Sequence, residues 1–129
     1  MAKNYTLNCS LSMSATSSTG YSQSQSGSYT LNITGVDQIA TGRIDVAHDG
    51  DATIMAAPGY GRMVYIKNLD DTNFVKIYDG ASSAADYIGI LKPGEFLMTI
   101  IRGTGTTVAK ADTATVTVEY AAIEIDANA

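Results

Sequence analysis

A chain of 129 residues with 45% hydrophobic and 16% charged side chains is sized for one domain. It is long enough to bury a core without a metal or a disulfide staple. Its net charge of −5 disfavours nucleic acid as the main ligand, because polyphosphates select surfaces rich in Lys and Arg. Seven of the eight basic residues (Arg43, Arg62, Lys67, Lys76, Lys92, Arg102 and Lys110) are interspersed with acids, so no basic stripe forms.

The single cysteine, Cys9, excludes an intramolecular disulfide. No apolar run approaches the ~18 residues of a membrane-spanning helix, and the N-terminus carries no apolar signal-peptide core. The sequons at Asn4, Asn8 and Asn32 weigh little, since such tripeptides arise readily in a chain rich in Asn, Ser and Thr. The expectation is a protein made in a cytosol, or assembled there into something larger.

Period-two alternation dominates from the start. Tyr5, Leu7, Cys9, Leu11 and Met13 alternate with Thr6, Asn8, Ser10 and Ser12, which predicts a strand with one apolar face. Tyr29, Leu31 and Ile33 repeat the pattern. Residues 14–28 between them hold no charge and no large aliphatic side chain, and read as a mobile hairpin extending the two strands or as a loose loop. Ile44 and Val46 mark a short strand that ends at the turn Asp49-Gly50-Asp51.

From Arg62 the pattern changes. Residues 63–66 and 96–101 are apolar at both parities, which predicts central strands covered on both sides. Strands at 74–78 and 87–91 lie between them, joined by turn-rich connections, so 62–102 reads as a β-meander. Pro93-Gly94 suits a type II turn over 92–95, Pro fixing φ and Gly accepting φ > 0. In the last strand, from 114 to 126, Val116, Val118 and Tyr120 share one parity, and Ile123 and Ile125 the other. This predicts a β-bulge near Ala121 and Ala122 that switches the inward face. No window carries a helical apolar stripe. The expected fold is all-β: an antiparallel two-sheet sandwich or jelly roll of eight to ten short strands, spanning 1–129 as one domain.

Residues suited to chemistry are few. His48 is the only histidine, it sits beside a turn, and no Gly-x-Ser-x-Gly elbow supplies a nucleophile. Cys9 belongs to the apolar set of its strand, which favours packing over catalysis. One His and one Cys are too few for zinc, and Asp45, Asp49, Asp51, Asp70 and Asp71 do not match the spacing of a calcium loop. Gly59-Tyr60-Gly61 and Gly103-Thr104-Gly105 lead into no helix, so they read as turns rather than phosphate cradles. No catalytic residue, cofactor or metal site is expected. Of the eight tyrosines, Tyr21, Tyr60, Tyr78 and Tyr87 fall in or beside loops, where an amphipathic ring suits a protein interface.

The stretch Tyr65-Ile66-Lys67-Asn68-Leu69-Asp70-Asp71-Thr72-Asn73-Phe74-Val75 resembles one that recurs in small virion structural proteins of tailed bacteriophages. The later Leu91-Lys92-Pro93-Gly94-Glu95-Phe96, the strand Ala109-Lys110-Ala111 and the Ser/Thr-rich alternating start extend the similarity over most of the chain. The resemblance carries no catalytic residues. It implies a β-sandwich component of a phage particle, first a capsid decoration (cement) protein bound to the major capsid protein, often as a homotrimer. A tail or baseplate adaptor or host-recognition component is the alternative. A reading from another class is a carbohydrate-binding module using Tyr60, Tyr78 or Tyr87 as a sugar platform, which the absence of tryptophan weakens.

Overall fold

The computed structural model describes residues 3–13, 23–33, 39–57, 61–84 and 86–125, and among them there are ten strands and no helix. The strands are β1 (Lys3–Met13), β2 (Gln23–Ile33), β3 (Ile39–Val46), β4 (Ala52–Met55) and β5 (Arg62–Asn68), then β6 (Val75–Asp79), β7 (Tyr87–Leu91), β8 (Phe96–Ile101), β9 (Thr107–Ala111) and β10 (Val116–Glu124).

β1 and β2 pair only with each other, in unbroken antiparallel register from Lys3 opposite Ile33 to Met13 opposite Gln23. The alternating N-terminus is therefore a hairpin, and residues 23–28 belong to its second strand; residues 14–22 lie outside the described chain.

The other eight strands form two four-stranded sheets, in order β3-β10-β5-β8 and β4-β9-β6-β7. The antiparallel pairs β3·β10, β4·β9, β5·β8 and β6·β7 are the rungs of one long hairpin rolled onto itself, which is the jelly-roll arrangement. Rolling buries one face of each sheet. Val46, Val64, Ile66, Val116, Val118 and Ala122 from one sheet meet Ile54, Met55, Val75, Ile77, Leu91, Ala109 and Ala111 from the other.

Two polar residues fasten β5 across this core. At its start Arg62 is fully buried, donating from Nη2 to Asp79 Oδ1 of β6 at 2.6 Å and from Nη1 to the Gly103 carbonyl at 2.7 Å. Gly103 and Gly105 press against that carboxylate: a Cβ on Gly103 would fall inside it, 2.8 Å from Cγ, and one on Gly105 would meet Oδ1 at 2.6 Å. The Gly-x-Gly read as a plain turn is the packing surface for a cross-sheet ion pair.

At the far end of β5 Asn68 is also fully buried. Its Nδ2 donates to the Asn73 and Leu91 carbonyls, both at 2.9 Å, and its Oδ1 accepts from the Asp70 amide at 2.8 Å. Asp70 in turn accepts from the amides of Thr72 and Asn73. These bonds hold its carboxyl below the ordinary carboxylate range, the Asn73 amide contributing most. The polar run 68–73 is thus a hydrogen-bonded corner that carries the chain from one sheet to the other.

Three expectations change. The stretch 62–102 is not a meander: β5 and β8 lie in one sheet, and β6 and β7 in the other. The corner at 68–73 and the turn at residues 92–95 each switch sheets. That turn has Gly94 at φ 81°, as a type II turn requires, and the Glu95 amide donates to the Lys92 carbonyl at 3.0 Å.

Second, β5 is interior as expected, but β8 is an edge strand, and Phe96 is 62% exposed. Its second apolar parity lies on the outer face of its sheet, where Met98 joins Met63, Tyr65, Ala121 and Ile123 around a small apolar hollow. Burial, with the Glu119 carboxylate beside it, pushes the Tyr65 hydroxyl above its ordinary pKa.

Third, β10 carries no bulge, its register running unbroken against both β3 and β5 from Val118 to Ile123. No switch of face is needed, because Ile123 stays on the apolar outer face opposite Met63 and Ile39. Ile125 lies past the strand end, where it is buried and its amide donates to the Gly61 carbonyl at 2.8 Å.

Candidate functional site

β7 and β8 are the edges of opposite sheets and lie side by side, so together they form one open rim of the roll. Among the described residues, four of the five exposed large apolar side chains gather there: Tyr87, Ile88, Ile90 and Phe96. Ile88 shares the outward parity of Ile90, and the β6·β7 register shift between Ile77 and Tyr78 leaves it without a cross-strand partner. Ile90 pairs with Lys76 and follows the outward parity. Phe96 stacks obliquely on Tyr65, with ring centroids 6.3 Å apart.

Between the two edges runs a shallow groove of about 590 Å³, lined by Gly89, Ile90, Leu91, Gly94, Glu95, Phe96 and Leu97. An edge strand also offers unpaired backbone N–H and C=O groups. Apolar contact area and backbone hydrogen-bonding groups therefore coincide on this rim, as in surfaces that join proteins.

The four tyrosines singled out from sequence part company. Tyr21 and Tyr60 lie outside the described residues. Tyr78 is 8% exposed on β6, with its ring set edge-on to that of Tyr87, centroids 6.5 Å apart. Tyr87 is half exposed at the rim, and the Lys76 Nζ sits over its ring at 5.1 Å. Sequence reading passed over Ile88, Ile90 and Phe96. Their only signal was a pair of apolar runs on either side of the Pro93-Gly94 turn, which read as core until the strand order is known.

His48 is exposed in the turn after β3, as its place beside Asp49-Gly50 implied. It opens on a cleft whose described lining is Lys76, Tyr78, Lys110, Ala111 and Asp112. Asp70 and Asp71 bond within their own turn, whereas Asp51 and Asp45 bond to segments distant in the chain. Asp51 accepts from both the hydroxyl and the amide of Ser82, which lowers its pKa, with a smaller pull from Lys110. Asp45 accepts from the Thr117 hydroxyl at 2.7 Å. Among the described residues no group of three or more His, Cys, Asp or Glu side chains is placed to hold a metal ion. Cys9 lies in β1 opposite Gly27. No family model, curated protein or solved structure matches the chain.

Proposed function

We propose that this chain is a structural subunit of a tailed-phage particle, a capsid decoration protein that binds the major capsid protein and its own copies, favouring a trimer. The observation that carries this reading is the convergence of Tyr87, Ile88, Ile90 and Phe96 on the open β7–β8 rim. Exposed apolar side chains on an edge are costly in a free monomer and useful in a subunit that is covered on assembly. The resemblance of the 65–75 and 91–96 segments supplies the phage context. The jelly roll agrees with it but serves lectins as well as capsids, so the fold alone does not choose.

Cryo-electron microscopy of particles containing this protein tests the proposal. The expected result is density for the jelly roll on the outer surface of the head, with the β7–β8 rim against a neighbouring subunit. Density in the tail or baseplate would transfer the protein to the adaptor class, and absence from the particle would overturn the proposal. The sugar-binding reading finds less support, because the Lys76 ammonium occupies a face of the half-exposed Tyr87.

A further inference from the structure

The outer face of the β4-β9-β6-β7 sheet carries a feature that assembly through the rim does not use. β6 and β9 pair antiparallel with Lys76 directly opposite Lys110, and both side chains line the cleft that His48 enters. Like charges directly opposite each other on neighbouring strands repel, so an acidic chain has little structural reason to place them so. Among the described residues no ion pair joins the Lys76 or the Lys110 ammonium to a carboxylate. The nearby Asp51 is already held by Ser82. Lys76 instead rests over the Tyr87 ring.

The cleft is built rather than incidental. The Ala111 amide donates to the Ala47 carbonyl at 3.1 Å, which holds the His48 turn against the end of β9. The Asp112 amide donates to the Phe74 carbonyl at 3.2 Å, which closes the floor from the β6 side. The space enclosed is about 220 Å³, enough for a small anion and bridging waters. Lys76, Lys110, Tyr78 and His48 in its lining are all residue types that can donate to an anion, and a lysine acts on an oxyanion as a compact point charge. The Asp112 carboxylate lies in the same wall, and Asp51, already bonded to Ser82, feels a weaker attraction to Lys110.

We propose that this cleft binds a single oxyanion, a phosphate or a carboxylate, between Lys76 and Lys110. The bound charge removes the repulsion between the lysines and stabilises the folded chain by mass action. The test is an amide-resolved NMR titration of the full chain with sodium phosphate and, separately, sodium acetate, at constant ionic strength set with sodium chloride. The expected result is a saturating shift confined to the amides of residues 48, 76–78 and 110–112, with a rise in melting temperature. In the Lys76→Met, Lys110→Met variant the apparent affinity falls at least tenfold. Without added anion that variant melts no lower than the parent, because the repulsion has gone. Tighter binding of phosphate points to a free phosphate as the ligand. Equal or tighter binding of acetate points to a carboxylate side chain of a docking partner. Shifts that merely follow the chloride control, saturate elsewhere or survive in the double variant overturn the proposal.

Discussion

Replacing Gly103 by Ala tests whether the Arg62–Asp79 pair holds the two sheets together. Gly103 has no positive φ, so its backbone accepts alanine, and the cost arises from the new Cβ meeting the Asp79 carboxylate. The carboxylate must swing away, breaking the 2.6 Å bond to a guanidinium with no exposed surface. Breaking a buried ion pair by removing one partner costs about 3–5 kcal/mol. Asp79 is 26% exposed, so water reaches part of the site and the low end applies.

We expect Asp79→Ala to cost about 3 kcal/mol and Gly103→Ala, which leaves the charge nearby, about 2 kcal/mol. For a domain of this size that is a fall of roughly 10 °C and 7 °C in melting temperature. The double variant should cost no more than Asp79→Ala alone, because the atoms that the Cβ would strike are gone. Gly105→Ala behaves differently, since its Cβ would also lie 3.0 Å from the Asp79 backbone C and O, and its cost should persist in the Asp79→Ala background. Calorimetry or urea unfolding of the four chains supplies the cycle. Equal costs for Gly103→Ala with and without the Asp79 carboxylate would refute the reasoning.

Three further outcomes follow from the same geometry. Asn68→Ala should cost about 3 kcal/mol in urea unfolding, because it strands the buried Leu91 carbonyl and releases Asn73 and the Asp70 amide. The Asp51 and Asp70 carboxyls have lowered pKa values in the folded chain, so their stabilisation is complete above the unfolded value of about 4 and is lost as pH falls through the folded value. Melting temperature should therefore be nearly flat from neutral pH to about 5 and decline below about 4, and less steeply in Asp70→Asn, whose amide oxygen still accepts the turn bonds. At the rim, Ile90→Asp with Phe96→Asp should shift stability by about 0.5 kcal/mol or less per site, since both side chains are exposed. It should also abolish incorporation into particles, measured by co-sedimentation.

Local chemistry was enough to place most strands. Alternation in residues 5–13 and 29–33 marks the two arms of the first hairpin, and the Pro93-Gly94 turn forms with Gly94 at positive φ. These features depend on backbone sterics and a period of two, which neighbours along the chain determine. The all-β class and the two-sheet architecture were legible for the same reason.

The corner at 68–73 was visible as a turn. That it changes sheets was not, because the partners of Asn68 include Leu91, distant in the chain. An apolar residue at either parity of a strand can face a core or an uncovered outer face, and sequence does not distinguish them. Thus Phe96 was read as core and stands exposed, and Ile123 was read as needing a bulge and lies on an apolar outer face in regular register. The rim and the lysine cleft exist only because rolling the hairpin brings β7 beside β8 and sets Lys76 against Lys110. The sequence by itself determined where strands begin, turn and alternate, because those are short-range matters. Strand order, which fixes the edges, and strand register, which fixes the cross-strand neighbours, come from burying one face of each sheet against the other, and only the tertiary structure decided them.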